Sequence, residues 1–171
     1  MHLPGYYSRL QIGLHWLSAV VILWALVTGS LLSFLELPAE IKGGMASFNV
    51  SLTTLFIPFF LLRLYVAASR SAAILHASWT LQQVAARLTH RAIYSSTTVV
   101  LISGVLMMQH SADVFGVARF GPVLTHAWLR EWFTQIHTWS CVALAALITL
   151  HVAAVIKHQL SGHSIIRRMW R

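Results

Sequence analysis

The sequence predicts an all-α integral membrane four-helix bundle with both termini cytoplasmic. Three observations carry this expectation. The chain is 57% hydrophobic and only 9% charged, whereas soluble domains carry about 25% charged residues. Four apolar stretches stand at about 10–35, 46–68, 86–109 and 132–158, and a helix of about 20 residues crosses a hydrocarbon core. The bases are also unevenly placed. With four crossings, Arg9, Arg63, Arg70, Arg87, Arg91, Lys157, Arg167, Arg168 and Arg171 fall on the side of the termini. Only Lys42, Arg119 and Arg130, with all four acids, fall on the other. Such a bias marks the cytoplasmic face.

The first span, Leu10–Leu35, is 26 residues without a charge. A cleaved signal has an apolar core of about 7–15 residues, so this span is expected to stay. The second opens at Ala46 and carries Pro58, which frees the Thr54 carbonyl and predicts a kink. The third begins near His90-Arg91, with an amphipathic lead-in over Trp79–Arg87. The fourth, Trp132–Ile156, is 25 uncharged residues. Loops are expected at 36–45, 69–82 and 110–131, too short for a second domain, so residues 1–171 read as one domain. The +8 net charge is then a topology signal, not a nucleic-acid surface. The single cysteine, Cys141, forms no disulfide framework or iron–sulfur site and reads as a packing residue.

The ten histidines are many for so uncharged a chain. His137 and His151 stand fourteen residues apart in the fourth span. They therefore share a helix face, roughly 21 Å apart along the axis. His15 enters the first span to the depth at which His151 leaves the fourth. Ionisable residues inside a membrane are functional suspects. Two imidazoles at one depth suit the axial positions of a haem iron. Zinc is the rival, but the spans lack further cysteine or carboxylate ligands. The expected partner of His137, at the start of the second span, is Asn49, whose amide is a poor iron ligand. His110 and His126 are the outer substitutes. His90 and His158 stand level with the cytoplasmic headgroups, suited to ligation, proton transfer, quinone contact or interfacial hydrogen bonding. His2, His76 and His163 read as solvated.

The run Tyr7-Ser8-Arg9-Leu10-Gln11-Ile12, followed by His15-Trp16, resembles the opening of the bacterial cytochrome b561 family, which includes a superoxide oxidase that reduces ubiquinone. The resemblance extends over nearly the whole chain. Arg63, His90-Arg91-Ala92-Ile93-Tyr94, His137 with His151, His158 and Ser164-Ile165-Ile166-Arg167 all fit its pattern. It implies a multi-pass protein of the bacterial inner membrane with two haems b and ubiquinone as acceptor. His15 and His151 would hold the cytoplasmic haem iron, and His137 the outer one. Asn49, His90, His158 and Arg9 complete the cofactor-binding set. Asn49 replaces the second-span ligand, which leaves three outcomes open: one haem, a five-coordinate outer haem on His137, or recruitment of His110. The family's proline-rich cytoplasmic loop is replaced by Ser69–Gln83, and Gly162 stands where an acid is common.

Three functions follow from this resemblance. The first is superoxide:ubiquinone oxidoreduction, with lipid, quinone and superoxide as partners. The outer loops, three bases against four acids, do not favour an anion. The second is a haem-bearing anchor for a partner dehydrogenase, or an assembly of several copies. The third is a single-haem sensor. A haem-free assembly factor is the remaining alternative.

Overall fold

A computed structural model describes residues 8–72 and 80–161. Four helices form the body: α1 Arg9–Phe34, α2 Ala39–Ala72, α3 Leu81–Leu106 and α4 Ala127–Leu160. A small antiparallel hairpin, β1 Ala112–Val114 and β2 Ala118–Phe120, lies between α3 and α4. The protein is an all-α membrane bundle. His2, His76, His163 and the Ser164–Arg167 tail lie outside the described residues.

Local chemistry sets the helix ends. Ser8 caps α1 by accepting from the Gln11 amide at 3.2 Å, while the Gln11 side chain accepts from the Ser8 amide at 2.9 Å. Thr80 and Gln83 repeat this reciprocal cap on α3. The described part of the amphipathic lead-in expected before the third span, from Leu81 to Arg87, is thus the opening of α3 itself. Three boundaries depart from expectation. Helix α2 begins at Ala39, just after Pro38, a natural first-turn residue. The Gly43-Gly44 pair weakens the apolar signal there without ending the helix, and α2 runs through Pro58 to Ala72. Helix α4 begins at Ala127, five residues before the apolar run. Helix α3 stops at Leu106.

Among the described residues, α1, α2 and α4 are long and apolar enough to cross a membrane. Helix α3, the third of the four stretches expected to span, does not reach that apolarity. It carries Arg87, His90, Arg91 and the Ser95–Thr98 run. Part of this polarity turns inward. Thr97 and Ser103 are buried and donate to the Ile93 and Val99 carbonyls of their own helix, at 2.8 and 2.6 Å. Ser18, Thr28 and Ser51 are buried as well, while Val20, Val27, Trp139 and Leu150 are exposed. Polar residues inside and apolar ones outside are the pattern of a bundle dissolved in lipid.

The expected loop at 110–131 contains the hairpin. Its strands are three residues each, too short to announce themselves by alternation. Phe115 and Gly116 both have positive φ, 52° and 73°, as a type I′ turn requires. The Gly116 amide donates to Asp113 Oδ1, and the Asp113–Arg119 ion pair closes at 2.9 Å. Ser51 Oγ donates to the Asp113 carbonyl at 2.8 Å. The rings of Trp24, Phe48 and Phe115 stack edge-on in sequence. The hairpin is thereby fastened to α1 and α2.

Candidate functional site

Steps of seven residues return to nearly the same face of a helix. On α4 they run through His137, Leu144, His151 and His158. On α2 they run through Asn49, Phe56 and Arg63, and on α3 through His90, Thr97 and Gly104. On α1 they run through His15 and Ile22 to Gly29, next to Thr28. The middle rung is apolar on α1, α2 and α4 and carries the buried Thr97 on α3. Ile22, Phe56 and Leu144 belong to one buried cluster with Val21 and Phe60. Polar rungs lie to either side.

The first polar rung draws one side chain from each helix. Arg63 Nη2 donates to His15 Nδ1 at 2.9 Å. The Arg63 guanidinium carbon also sits 5.2 Å from the centre of the Tyr94 ring. The His90 and His151 rings meet edge to face with centroids 5.1 Å apart. Arg63, His90 and His151 all lie within electrostatic range of His15. His15 and His151, matched by depth in the sequence, thus share one level. Arg63 always carries its protons, so His15 Nδ1 accepts and the ring proton sits on Nε2. Binding iron through Nε2 therefore requires Arg63 to release Nδ1. The freed guanidinium then suits a carboxylate such as a haem propionate.

The second polar rung has a different character. His137 Nδ1 lies 3.1 Å from the Val100 carbonyl and 3.2 Å from Ser103 Oγ. A carbonyl only accepts, so Nδ1 carries the proton and Nε2 keeps its lone pair. Ser103 spends its own proton on Val99 and is free to accept. The lone pair of His137 Nε2 meets only the weak thiol donor of Cys141, at 3.6 Å. This is the tautomer a metal-bound histidine needs, fixed by a backbone carbonyl on its far nitrogen. Gly104 makes room for it. A β-carbon there would stand 3.3 Å from His137 Cε1.

Asn49 does not face another imidazole. Its side-chain amide lies 3.3 Å from Thr28 Oγ1. His110 is exposed in the turn after α3, and His126 is the exposed first-turn cap of α4. His158 is half-buried two turns beyond His151, and Arg9 is exposed at the start of α1. The sequence alone assigns no partner to Arg63, reads Gly104 only as a small residue that lets helices approach, and does not single out Ser103. Counting sevens along α2 and α3 from Asn49 and His90 finds Arg63 and Gly104. Among the described residues, no three of His, Cys, Asp or Glu converge as a metal-ion site requires.

A lipid-facing helical bundle with half-buried histidines at two depths defines a class of membrane protein, the intramembrane cofactor carriers. A family model for prokaryotic cytochrome b561 matches residues 6–171, and the chain belongs to that family. Membership carries haem b binding and membrane electron transfer with it. No curated protein matches the chain.

The residues present fit the group the family implies. His137 offers an Nε2 lone pair met only by the weak Cys141 thiol, and His15 and His151 stand level on separate helices. Neutral imidazoles with a fixed far nitrogen are what haem iron takes from a protein.

Proposed function

We propose that this protein carries electrons across the bacterial inner membrane from superoxide outside to ubiquinone at the cytoplasmic face. His15 and His151 hold a haem b near the cytoplasm, and His137 holds the outer one. One observation carries the reading. The polar rungs of His15 and His137 are separated on α1, α2 and α4 by the apolar residues Ile22, Phe56 and Leu144, as two cofactors at two depths require.

Bound haem supplies one-electron chemistry at each level. The chain's own residues set the terms. Val21, Ile22, Phe56, Phe60 and Leu144 exclude water between the levels. The Val100 carbonyl holds His137 in its ligating tautomer. Arg63 places a fixed positive charge at the cytoplasmic level. His90 and His158 are the titratable groups able to pass protons to a reduced quinone. The reaction balances when two superoxide ions each give up one electron and become dioxygen, while ubiquinone takes both electrons and two protons.

Charge bears on the outer entrance. Asp113 and Arg119 neutralise each other. Arg130 is turned to the Leu124 and Thr125 carbonyls at 3.0 and 3.1 Å. It remains a fixed cation beside the N-terminus of α4, where an arriving anion is favoured.

The test is quinol formation by the purified haem-loaded protein under a steady superoxide source. The expected result is quinol production that vanishes in His15→Ala and His137→Ala. A fully loaded protein that forms no quinol would discard superoxide and ubiquinone as substrates. It would leave the haem conduit standing.

A further inference from the structure

We propose that the outer level is a one-imidazole haem site whose open axial position binds a small neutral diatomic ligand, with Asn49 and Thr28 as its polar wall. The proposal rests on the haem reading above and deepens it.

His15 and His151 share a level. Fourteen residues up α4 is His137, and fourteen residues up α2 from Arg63 is Asn49. Each step is roughly 21 Å of helix rise. On α1, Thr28 lies thirteen residues from His15, a rise of roughly 20 Å. His137, Asn49 and Thr28 therefore stand at one depth. The side chains there on α3 are Ser103, which accepts from His137, and Gly104, which has none. Among the described residues, the other histidines on this side, His110 and His126, are exposed outside the bundle.

The rung thus offers iron one strong donor, His137 Nε2. The group on α2 is a carboxamide already engaged with Thr28, and neutral amides compete poorly with imidazole for haem iron. Thr28 directs its own proton at the Trp24 carbonyl, 2.8 Å away. The same hydroxyl stands 3.3 Å from Asn49 Oδ1, which accepts from it, and the Asn49 amide nitrogen keeps its protons for a ligand. Polar donors and steric access at a haem face decide which small molecules bind. The His15 level differs. It has an imidazole from each of two helices, and a haem held by both would resist such ligands.

The experiment uses carbon monoxide on the reduced, haem-loaded protein, read from the Soret band, with haem counted per chain. The expected result is a carbon monoxide-sensitive haem alongside a silent one. His137→Ala should remove the sensitive haem and leave the silent one. Asn49→His should keep the haem count and abolish the sensitivity. The silent haem reports that each variant is folded. As a second probe, imidazole added to the oxidised protein should convert the outer haem to low spin in the parent but not in Asn49→His.

A silent parent protein with two haems would overturn the open position and leave the electron-transfer reading intact, whereas a silent protein with one haem would overturn both. Sensitivity that survives His137→Ala would overturn the open position too. A chain that binds no haem after haem-supplemented expression would overturn both readings.

Discussion

Arg63 and His15 meet at 2.9 Å across the α1–α2 seam, and the contact fixes which nitrogen of His15 carries the proton. The guanidinium is half-buried and rests on Tyr94, so its charge is poorly screened. A fixed cation beside a haem favours the reduced state. Arg63→Gln should therefore lower the midpoint potential of the cytoplasmic haem by some tens of millivolts, with haem content retained. This corresponds to a Coulomb term of about 1–2 kcal/mol at the effective dielectric of a protein interior. Spectroelectrochemical titration measures it, and an unmoved midpoint rules out the charge effect.

The two polar rungs are separated by a dry layer and share no side chain. Removing one haem should leave the other in place. His15→Ala and His151→Ala should each lower the haem count by the cytoplasmic one, and neither should add to the other. His137→Ala should remove the outer haem alone. Pyridine haemochrome against protein mass reads this directly. Loss of both haems from any single substitution contradicts independent levels.

Ser103 and Gly104 act on His137 from α3. Ser103→Ala removes an acceptor from Nδ1 but leaves the Val100 carbonyl. The expected cost is about tenfold in outer haem affinity, the lower end for a partner of a metal ligand. Gly104→Val places a branched side chain against His137 Cε1, already 3.3 Å from a lone β-carbon, and should cost more. Haem transfer to excess apo-globin ranks the two. Equal retention in both variants would argue against this seat for the ring.

The hairpin has its own pH dependence. The Arg119 hydrogen bond and then the Gly116 amide hold the Asp113 carboxyl below the ordinary aspartate value. A depressed folded value gives stability that is complete above the ordinary value and lost as pH falls through the folded one. The turn should thus stay closed at neutral pH and loosen only in acid, below about pH 4. Hydrogen exchange at the Gly116 amide follows it. Asp113→Asn should speed that exchange at neutral pH without unfolding the helices.

Much of the site was legible because histidine is conspicuous in an apolar chain. His15, His137 and His151 could be matched in depth by counting residues, and Asn49 stood out as the missing partner. The rest was hidden for physical reasons. Arg63 reads as a span-closing charge, and its hydrogen bond to His15 depends on how α1 meets α2. Ser103 and Gly104 are small residues of the kind any membrane helix carries. The hairpin lacked a signal because Phe115 takes a turn position usually given to Asn, Asp or Gly. The early starts of α2 and α4 were masked by Gly43-Gly44 and by the polar Arg130-Glu131 pair, since hydropathy marks lipid contact and not helix.

Helix α1 packs closely on α2, and α3 on α4, whereas α2 touches α3 more thinly. Neighbours in sequence are thus neighbours in space, and each pair is an antiparallel hairpin that needs no distant segment to form. The chain can enter the bilayer as two prefabricated halves in order of synthesis. The proposed ligands divide along the same line, with His15 in the first half and His137 and His151 in the second. A haem gripped by His15 and His151 is then a rivet through the joint. Cofactor supply would govern whether the halves stay married, and haem starvation would leave them to quality control as separable pieces.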